Sequence, residues 1–491
     1  MPHPLTLARL ASLSGTIETP DYDRRDLRAG ILHIGVGNFH RAHQAVYLDE
    51  LLNAGQDQDW AILGAGLRPA DRAMRDALSA QDWLTTVVER EAGASRGRVV
   101  GSMVGFVPVG EDGRAIVAAL EDPQIRIVSL TVTEGGYCID PATGAFDPNH
   151  PDIRHDAAHP EAPGGAFGVL VAALKRRRDR GLEPFAVLSC DNLPGNGHVA
   201  REATAGLADL TDRSLGDYVR DRVAFPDSMV DRITPATTDH ERARVAAEFG
   251  IADAWPVACE PFRQWVIEDR FPAGRPQLER VGVTFTPDVA AYELMKIRIL
   301  NGGHAALAYP AALLGLRFVY EAMADPLVRA FLDRLETREI IPCVQPIPGI
   351  DLQDYWRVVA RRFANPEIGD TVARLCMDGS NRQPKFILPS TSDRLRTGGG
   401  IAGLALVSAL WCRACAGLTE PGEALAIDDP RADRLKAAAE AARSEPSAFL
   451  ALRDVFGDLS EAPPFREAFA SALGQVWREG VRATLARYVQ G

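Results

Sequence analysis

The stretch YELMKIRILNGGHAALAYP, Tyr292–Pro310, is apolar enough for a buried helix, yet it carries Lys296, Asn301 and His304. The chain has 54 lysines plus arginines, and only four are lysines: Lys175, Lys296, Lys385 and Lys436. A lysine drawn out of water gives up its proton more readily, because desolvation disfavours the charged form. It can then act as a base near neutral pH. Arginine cannot lose its proton in that range, so a lysine kept in this stretch of an arginine-rich chain points to proton transfer. Asn301 offers an amide N–H to a developing oxyanion. His304 can orient a hydroxyl, and Glu293, one turn before the lysine, can exchange protons with it through water. At about 100° per residue, Glu293, Lys296, Asn301 and His304 fall within roughly 140° of one another, with Ile297 and Leu300 on the same face. The other reading is an interface helix whose polar groups are satisfied, and the spacing alone leaves both open.

A second candidate lies near the N-terminus. ILHIGVGNFHRAHQAVYLDELL is an apolar strand, two glycines and a helix. Gly35 and Gly37 let a backbone approach a dinucleotide pyrophosphate, and the helix start offers free N–H groups. His40 stands where the third glycine of the dinucleotide fingerprint belongs, so a structural tight turn remains open. The turn and helix start supply the cofactor candidates Ile34, Gly35, Val36, Gly37, Asn38, Phe39, His40, Arg41, Ala42, His43, Gln44 and Ala45. After the second strand, Asp71 can accept from an adenosine ribose and repel a 2′-phosphate, favouring NAD over NADP. Arg68 is placed to stack on adenine or bind a phosphate.

The elements that would position these residues follow an alternating pattern. Short apolar runs bounded by Gly and Pro alternate with helical segments through the first two-thirds of the chain. That pattern predicts a doubly wound, mostly parallel sheet of Rossmann type. AHQAVYLDELLNAG reads as one helix, and WLTTVVERE and GRVVGSMVGFVPVG as further strands. From about residue 288 long Ala/Leu/Arg helices dominate. The expected organisation is α/β, with a Rossmann-type domain over 1–287 and a mainly α-helical domain over 288–491.

At 491 residues the chain exceeds one ordinary core. A net charge of −12 argues against nucleic acid and anionic membrane as partners. Seven scattered cysteines do not form a disulfide scaffold and fit a reducing cytoplasm. Cys412 and Cys415, in a C-x-x-C on an Ala/Leu-rich helix, read as packing rather than metal ligation. No long apolar run suggests a membrane span or a secretory leader.

Several stretches resemble the mannitol dehydrogenase family of polyol-specific long-chain dehydrogenases. They are GVGNFHRAH, TEGGYCID at Thr133–Asp140, SCDNLPGNG at Ser189–Gly197, FPDSMVDRITP at Phe225–Pro235, DAWPVACEPF at Asp253–Phe262, MKIRILNGGHAAL, and DGSNRQPKF at Asp378–Phe386. The resemblance runs over nearly the whole chain. It implies a monomeric, cytoplasmic, zinc-independent enzyme that uses NAD to interconvert D-mannitol and D-fructose at C2. It puts the catalytic lysine at Lys296 and the oxyanion-hole asparagines at Asn192 and Asn301. His304 orients substrate, and Glu293 is the proton-channel glutamate. Asp231, Arg374 and Arg382 lie in the substrate pocket, and Glu134 sits on the cofactor side. Two departures stand out. Ala70 replaces the first member of the family's acidic pair before Asp71, which leaves weaker NADP use open. Arg382 replaces a substrate-side lysine. Uronate reduction, with Arg374, Arg382 and Lys385 around a carboxylate, and D-arabinitol oxidation are sister activities. A silent NAD-binding sensor on the same fold is the reading outside the enzymes.

Overall fold

The computed structural model describes residues 2–13, 15, 17–140 and 143–491. Contacts divide the chain into two compact units, Met1–Ala290 and Ala291–Gly491. The division falls three residues beyond the expected 287/288 boundary.

The first unit is built on five parallel strands. β1 (Ala29–Ile34), β2 (Ala61–Ala65), β5 (Met103–Phe106), β6 (Ile127–Leu130) and β7 (Ala186–Ser189) lie in the order β5-β2-β1-β6-β7. Ile31 pairs with Ile62 on one side and Ile127 on the other. Apart from the buried His33, Ser129 and Ser189, these strands read as apolar runs because both faces are covered. Leu32, Ile34, Val128 and Leu130 pack on one face with the helix Ala166–Asp179, and Ile31, Ile62 and Ile127 on the other with Val46, Leu48 and Leu51. Burying one such side chain stabilises by about 1.5–3 kcal/mol.

Three expectations need correction. β3 (Thr85–Glu91) and β4 (Ala94–Val100) do not join the parallel sheet. They form an antiparallel hairpin around Gly93, and β9 (Val257–Cys259) pairs parallel to β3 in a separate three-stranded sheet. Another small sheet orders β11 (Thr284–Phe285), β10 (Gln264–Ile267) and β8 (Ser228–Asp231). The helix expected over residues 42–55 is observed as Gln44–Asn53, here α2, but a short helix not expected from the sequence, α1 (Asn38–Ala42), precedes it and is broken from it at His43 with φ −122° and ψ −88°. The His43 ring is buried between Phe39, Tyr47 and Trp265, and that packing overrides helix continuity.

The second unit is helical. The last correction concerns the lysine helix: its α-helical register ends at Met295, and Lys296–Asn301 is a π-helix before the α-helix Gly302–Leu313 resumes. Widened i→i+5 turns change the angular spacing that a uniform 100° per residue assumes. Arg298 anchors the π-helix, donating to Ser390 Oγ (2.8 Å) and Asp393 Oδ2 (2.8 Å). Cys412 and Cys415 are buried free thiols on the helix Ala402–Cys415. No helix among the described residues is long and apolar enough to cross a membrane.

Candidate active site

In the first unit, Ile34, Gly35, Arg68 and Asp71 line one cavity of about 170 Å³ with Thr131, Val132 and Gly136. Gly35 has φ +99°, and a Cβ there would lie 2.2 Å from the Thr131 carbonyl oxygen. Only glycine fits. In front of Gly37 the nearest such atom is 3.8 Å away, which leaves room for another group to approach the backbone. Asp71 Oδ2 accepts the Arg68 N–H (2.8 Å), so the carboxylate is held at the helix start beside the cavity. An acidic group there suits a ribose and opposes a 2′-phosphate. Glycine backbone on one wall and Asp71 with Arg68 on another fit the nucleotide that a Rossmann domain binds.

The other expected cofactor residues do not line this cavity. Asn38 donates to the Pro235 carbonyl (3.0 Å) and Thr237 Oγ1 (2.9 Å). Arg41 is fully buried, donating to Asn38 Oδ1 (2.8 Å) and to the Trp255 carbonyl. His40 stacks on His33 with ring centroids 3.5 Å apart. His33 lies between Ser129 Oγ (2.8 Å) and Thr131 Oγ1 (2.9 Å), and Ser129 donates to Gln44 Oε1 (2.9 Å). The Nε2 of His43 is 2.9 Å from the Gln264 carbonyl. Burial pushes the His33 and His43 rings down to about 3, and that of His40 well below its ordinary value. These neutral rings are a packed floor under the glycine turn. Val36, Ala42 and Ala45 are buried with them, and Phe39 stacks on His43.

Asn192 is exposed at the turn after β7, and Asp231 is buried at the end of β8. Three buried groups missed in the sequence hold these segments. Asn196 donates to the carbonyls of Asp191 (3.0 Å) and Ser228 (2.8 Å), and accepts the Ser228 N–H (2.9 Å). Arg232 donates to the carbonyls of Ala42 (2.6 Å) and Glu260 (3.0 Å) and to Glu89 Oε1 (2.6 Å). Asp191 takes the backbone amides of Val132 and Thr133. A second asparagine in NLPGNG and the arginine of VDR were the available signals. Glu134 is exposed at the head of the turn Glu134–Tyr137, after Thr133 at φ +66°, a conformation costing of order 1–3 kcal/mol for a non-glycine residue.

One mixed cluster among the described residues brings possible metal ligands together: Cys138, His150 and Asp152, all within 4.8 Å. His150 Nδ1 already accepts the Asp152 N–H (3.3 Å), and burial with Asp152 and Asp156 nearby pushes the Cys138 thiol up to about 12.

In the second unit, Lys296 is buried at 9% exposure on the π-helix, and Glu293 is half-buried one turn earlier. Asn301 Oδ1 is buried without a hydrogen-bond partner among the described residues. His304 is buried and stacks on Phe363 at 4.0 Å and 15°. Burial, then the charges of Arg374, Arg382 and Arg362, keep its ring neutral far below the usual range. Arg374 is paired bidentately with Asp370 (2.6 Å and 2.6 Å). Arg382 donates only to the Arg374 and Leu375 carbonyls (3.3 and 3.1 Å) and has no carboxylate partner among the described residues. Behind the helix, Glu336 is fully buried with neither oxygen hydrogen-bonded among the described residues, and burial pushes its carboxyl well above the usual carboxylate range. A Cβ on Gly303 would lie 3.0 Å from its Oε1.

Residues 29–280 match the mannitol dehydrogenase Rossmann domain, and residues 288–477 the mannitol dehydrogenase C-terminal domain. The chain is 58% identical over 477 residues to a mannitol 2-dehydrogenase of Cereibacter sphaeroides, covering 97% of this chain and 100% of that one. Among solved structures it is similar to Pseudomonas fluorescens mannitol 2-dehydrogenase in ternary complex with NAD and D-mannitol, at 44% identity and a TM-score of 0.85, covering 99% and 100% of the two chains. A D-sorbitol dehydrogenase in substrate-free form matches at 33% identity and a TM-score of 0.92, covering 98% and 100%. With both domains of these oxidoreductases matched in order along nearly its whole length, the chain belongs to the mannitol dehydrogenase family.

Proposed function

We propose that the protein is an NAD-dependent mannitol 2-dehydrogenase that interconverts D-mannitol and D-fructose, acting as a cytoplasmic monomer. The observation that carries this reading is Lys296, buried on a π-helix that also bears Asn301 and leads into the neutral, buried His304. Gly35, Gly37, Arg68 and Asp71 hold the dinucleotide, and when bound its nicotinamide supplies the hydride acceptor. Lys296 takes the C2 hydroxyl proton, since a lysine held out of water releases its own proton readily. Asn192 and Asn301 donate amide N–H groups to the developing alkoxide. His304, unprotonated, orients the hydroxyl, and Asp231, Arg374 and Arg382 bind the remaining polyol hydroxyls. Glu293 exchanges the proton between Lys296 and water, and Glu134 lies on the cofactor side. In ketose reduction Lys296 is the acid. With Ala70 in place of a second acidic residue, Asp71 alone opposes the 2′-phosphate, so NADP serves more weakly.

A second reading has one observation in its favour. Arg382 is a guanidinium without a carboxylate partner among the described residues, which suits a uronate or aldonate. Arg374 is already paired with Asp370, however, and Lys385 is exposed, so a single cation remains for that role. Purified enzyme assayed with D-mannitol, D-arabinitol, D-sorbitol and D-mannonate, each with NAD and NADP, separates the readings. The expected result is mannitol oxidation with NAD that falls about 10²–10⁴-fold in Lys296→Ala while NADH still binds. Turnover of D-mannonate alone would move the protein to the uronate enzymes.

A further inference from the structure

Asp191 precedes Asn192 and is buried at 8% exposure. Its Oδ2 accepts the Val132 N–H (3.0 Å) and the Tyr137 hydroxyl (2.7 Å), and its Oδ1 accepts the Thr133 N–H (2.9 Å). Its main-chain carbonyl accepts Asn196 Nδ2 (3.0 Å) and the Leu193 N–H (2.9 Å). One residue thus grips two segments, the loop after β6 with its side chain and the Asn192 turn with its backbone. The gripped loop is strained: Thr133 sits at φ +66° and ψ 164°, where only glycine is at ease. The loop is also a wall of the nucleotide cavity, through Val132 and Gly136. Two consecutive amides aimed at one carboxylate are charge-assisted bonds, strong enough to hold such a backbone.

We propose that Asp191 is a positioning residue that locks the Val132–Gly136 wall of the cavity in its strained form and fixes it to the turn bearing Asn192. Cofactor affinity and the placement of Asn192 are then coupled through one residue, the first through its carboxylate and the second through its main-chain carbonyl. The proposal rests on the cofactor and oxyanion roles given above. Without the carboxylate, Thr133 relaxes toward negative φ and carries Glu134–Gly136 with it. An asparagine at 191 still accepts one amide but turns an N–H₂ group toward the other donors.

The test is a double-mutant cycle of Asp191→Asn and Thr133→Gly, read by NADH titration and by hydrogen exchange of the ligand-free proteins. In D191N the Val132 and Thr133 amides exchange about tenfold faster or more while Ile127–Leu130 keep wild-type protection. NADH affinity falls by about tenfold. Glycine at 133 adopts the positive φ without strain, so D191N/T133G regains much of the lost affinity, whereas a merely structural defect would not respond. Wild-type protection of both amides in D191N, or a double variant no tighter than D191N, would overturn the proposal. Failure of the wild type to bind NADH would sink the cofactor reading, and the exchange data would still decide the clamp.

Discussion

Acid should unfold the first unit well before its carboxylates alone would require. His33 and His43 are held neutral by burial at about 3, against an ordinary 6.5, and Asp49 is pushed up to about 6 from 3.8. A buried base with a lowered value binds its proton more weakly when folded. Its contribution is therefore present above pH 6.5 and lost as pH falls toward 3. Asp49 runs the other way, because its folded form binds the proton more tightly, so it adds stability as pH drops below 6. Integrating proton binding from pH 7 to pH 5, each histidine costs about 2 kcal/mol and Asp49 offsets about 1.3, a net loss of about 2.5 kcal/mol. By pH 4 the net loss is about 4 kcal/mol, a large part of the 5–15 kcal/mol typical of a folded domain. Urea unfolding at pH 7, 6, 5 and 4 measures this directly, read by tryptophan fluorescence, to which Trp265 contributes from a buried position with its ring 5.4 Å from that of His43. His43→Phe should remove about 2 kcal/mol of the loss between pH 7 and 5 whatever its effect at pH 7. Equal stability at pH 7 and 5 in the wild type, or an unchanged slope in H43F, would refute the reasoning. Because these rings underlie the glycine turn, saturating NADH should shift the unfolding to lower pH.

Other expectations concern single side chains. Gly35→Ala places a Cβ 2.2 Å from the Thr131 carbonyl oxygen at φ +99°, and should cost about 2–4 kcal/mol and abolish NADH binding. Wild-type stability in that variant would mean that the turn can open. Arg382→Lys keeps the charge but loses the planar fork, so kcat/KM for D-mannitol should fall about tenfold, mainly through KM. An unchanged KM would place Arg382 outside the substrate pocket.

The parallel sheet was legible because buried strands such as Ala61–Ala65 are continuous apolar runs between turn residues. The β3–β4 hairpin was legible as strands but not as a separate sheet, since partner choice depends on β9, some 170 residues later in sequence. The π-helix was illegible: Lys296–Asn301 has the composition of an α-helix, and the extra residue per turn is set by tertiary anchors such as Arg298. Spacing makes His40 and His43 candidate cofactor contacts but carries no trace of the stacking of His40 on His33 or of His43 on Phe39. The role of Asp191 is illegible for a similar reason. Its partners are main-chain amides about 58 residues away, which leave no trace in residue type.

The scarcity of lysine has a practical consequence for handling the protein. Lys385 and Lys436 are exposed and Lys175 is half-buried, whereas the amine of Lys296 is sheltered. Acylating reagents, amine-directed fluorophores and aldehyde supports would meet the outward amines first. Brief, dilute labelling therefore tags or tethers the molecule at a few known points far along the chain from Lys296. Prolonged treatment that finally reaches the sheltered amine marks it with a mass increment on a single peptide.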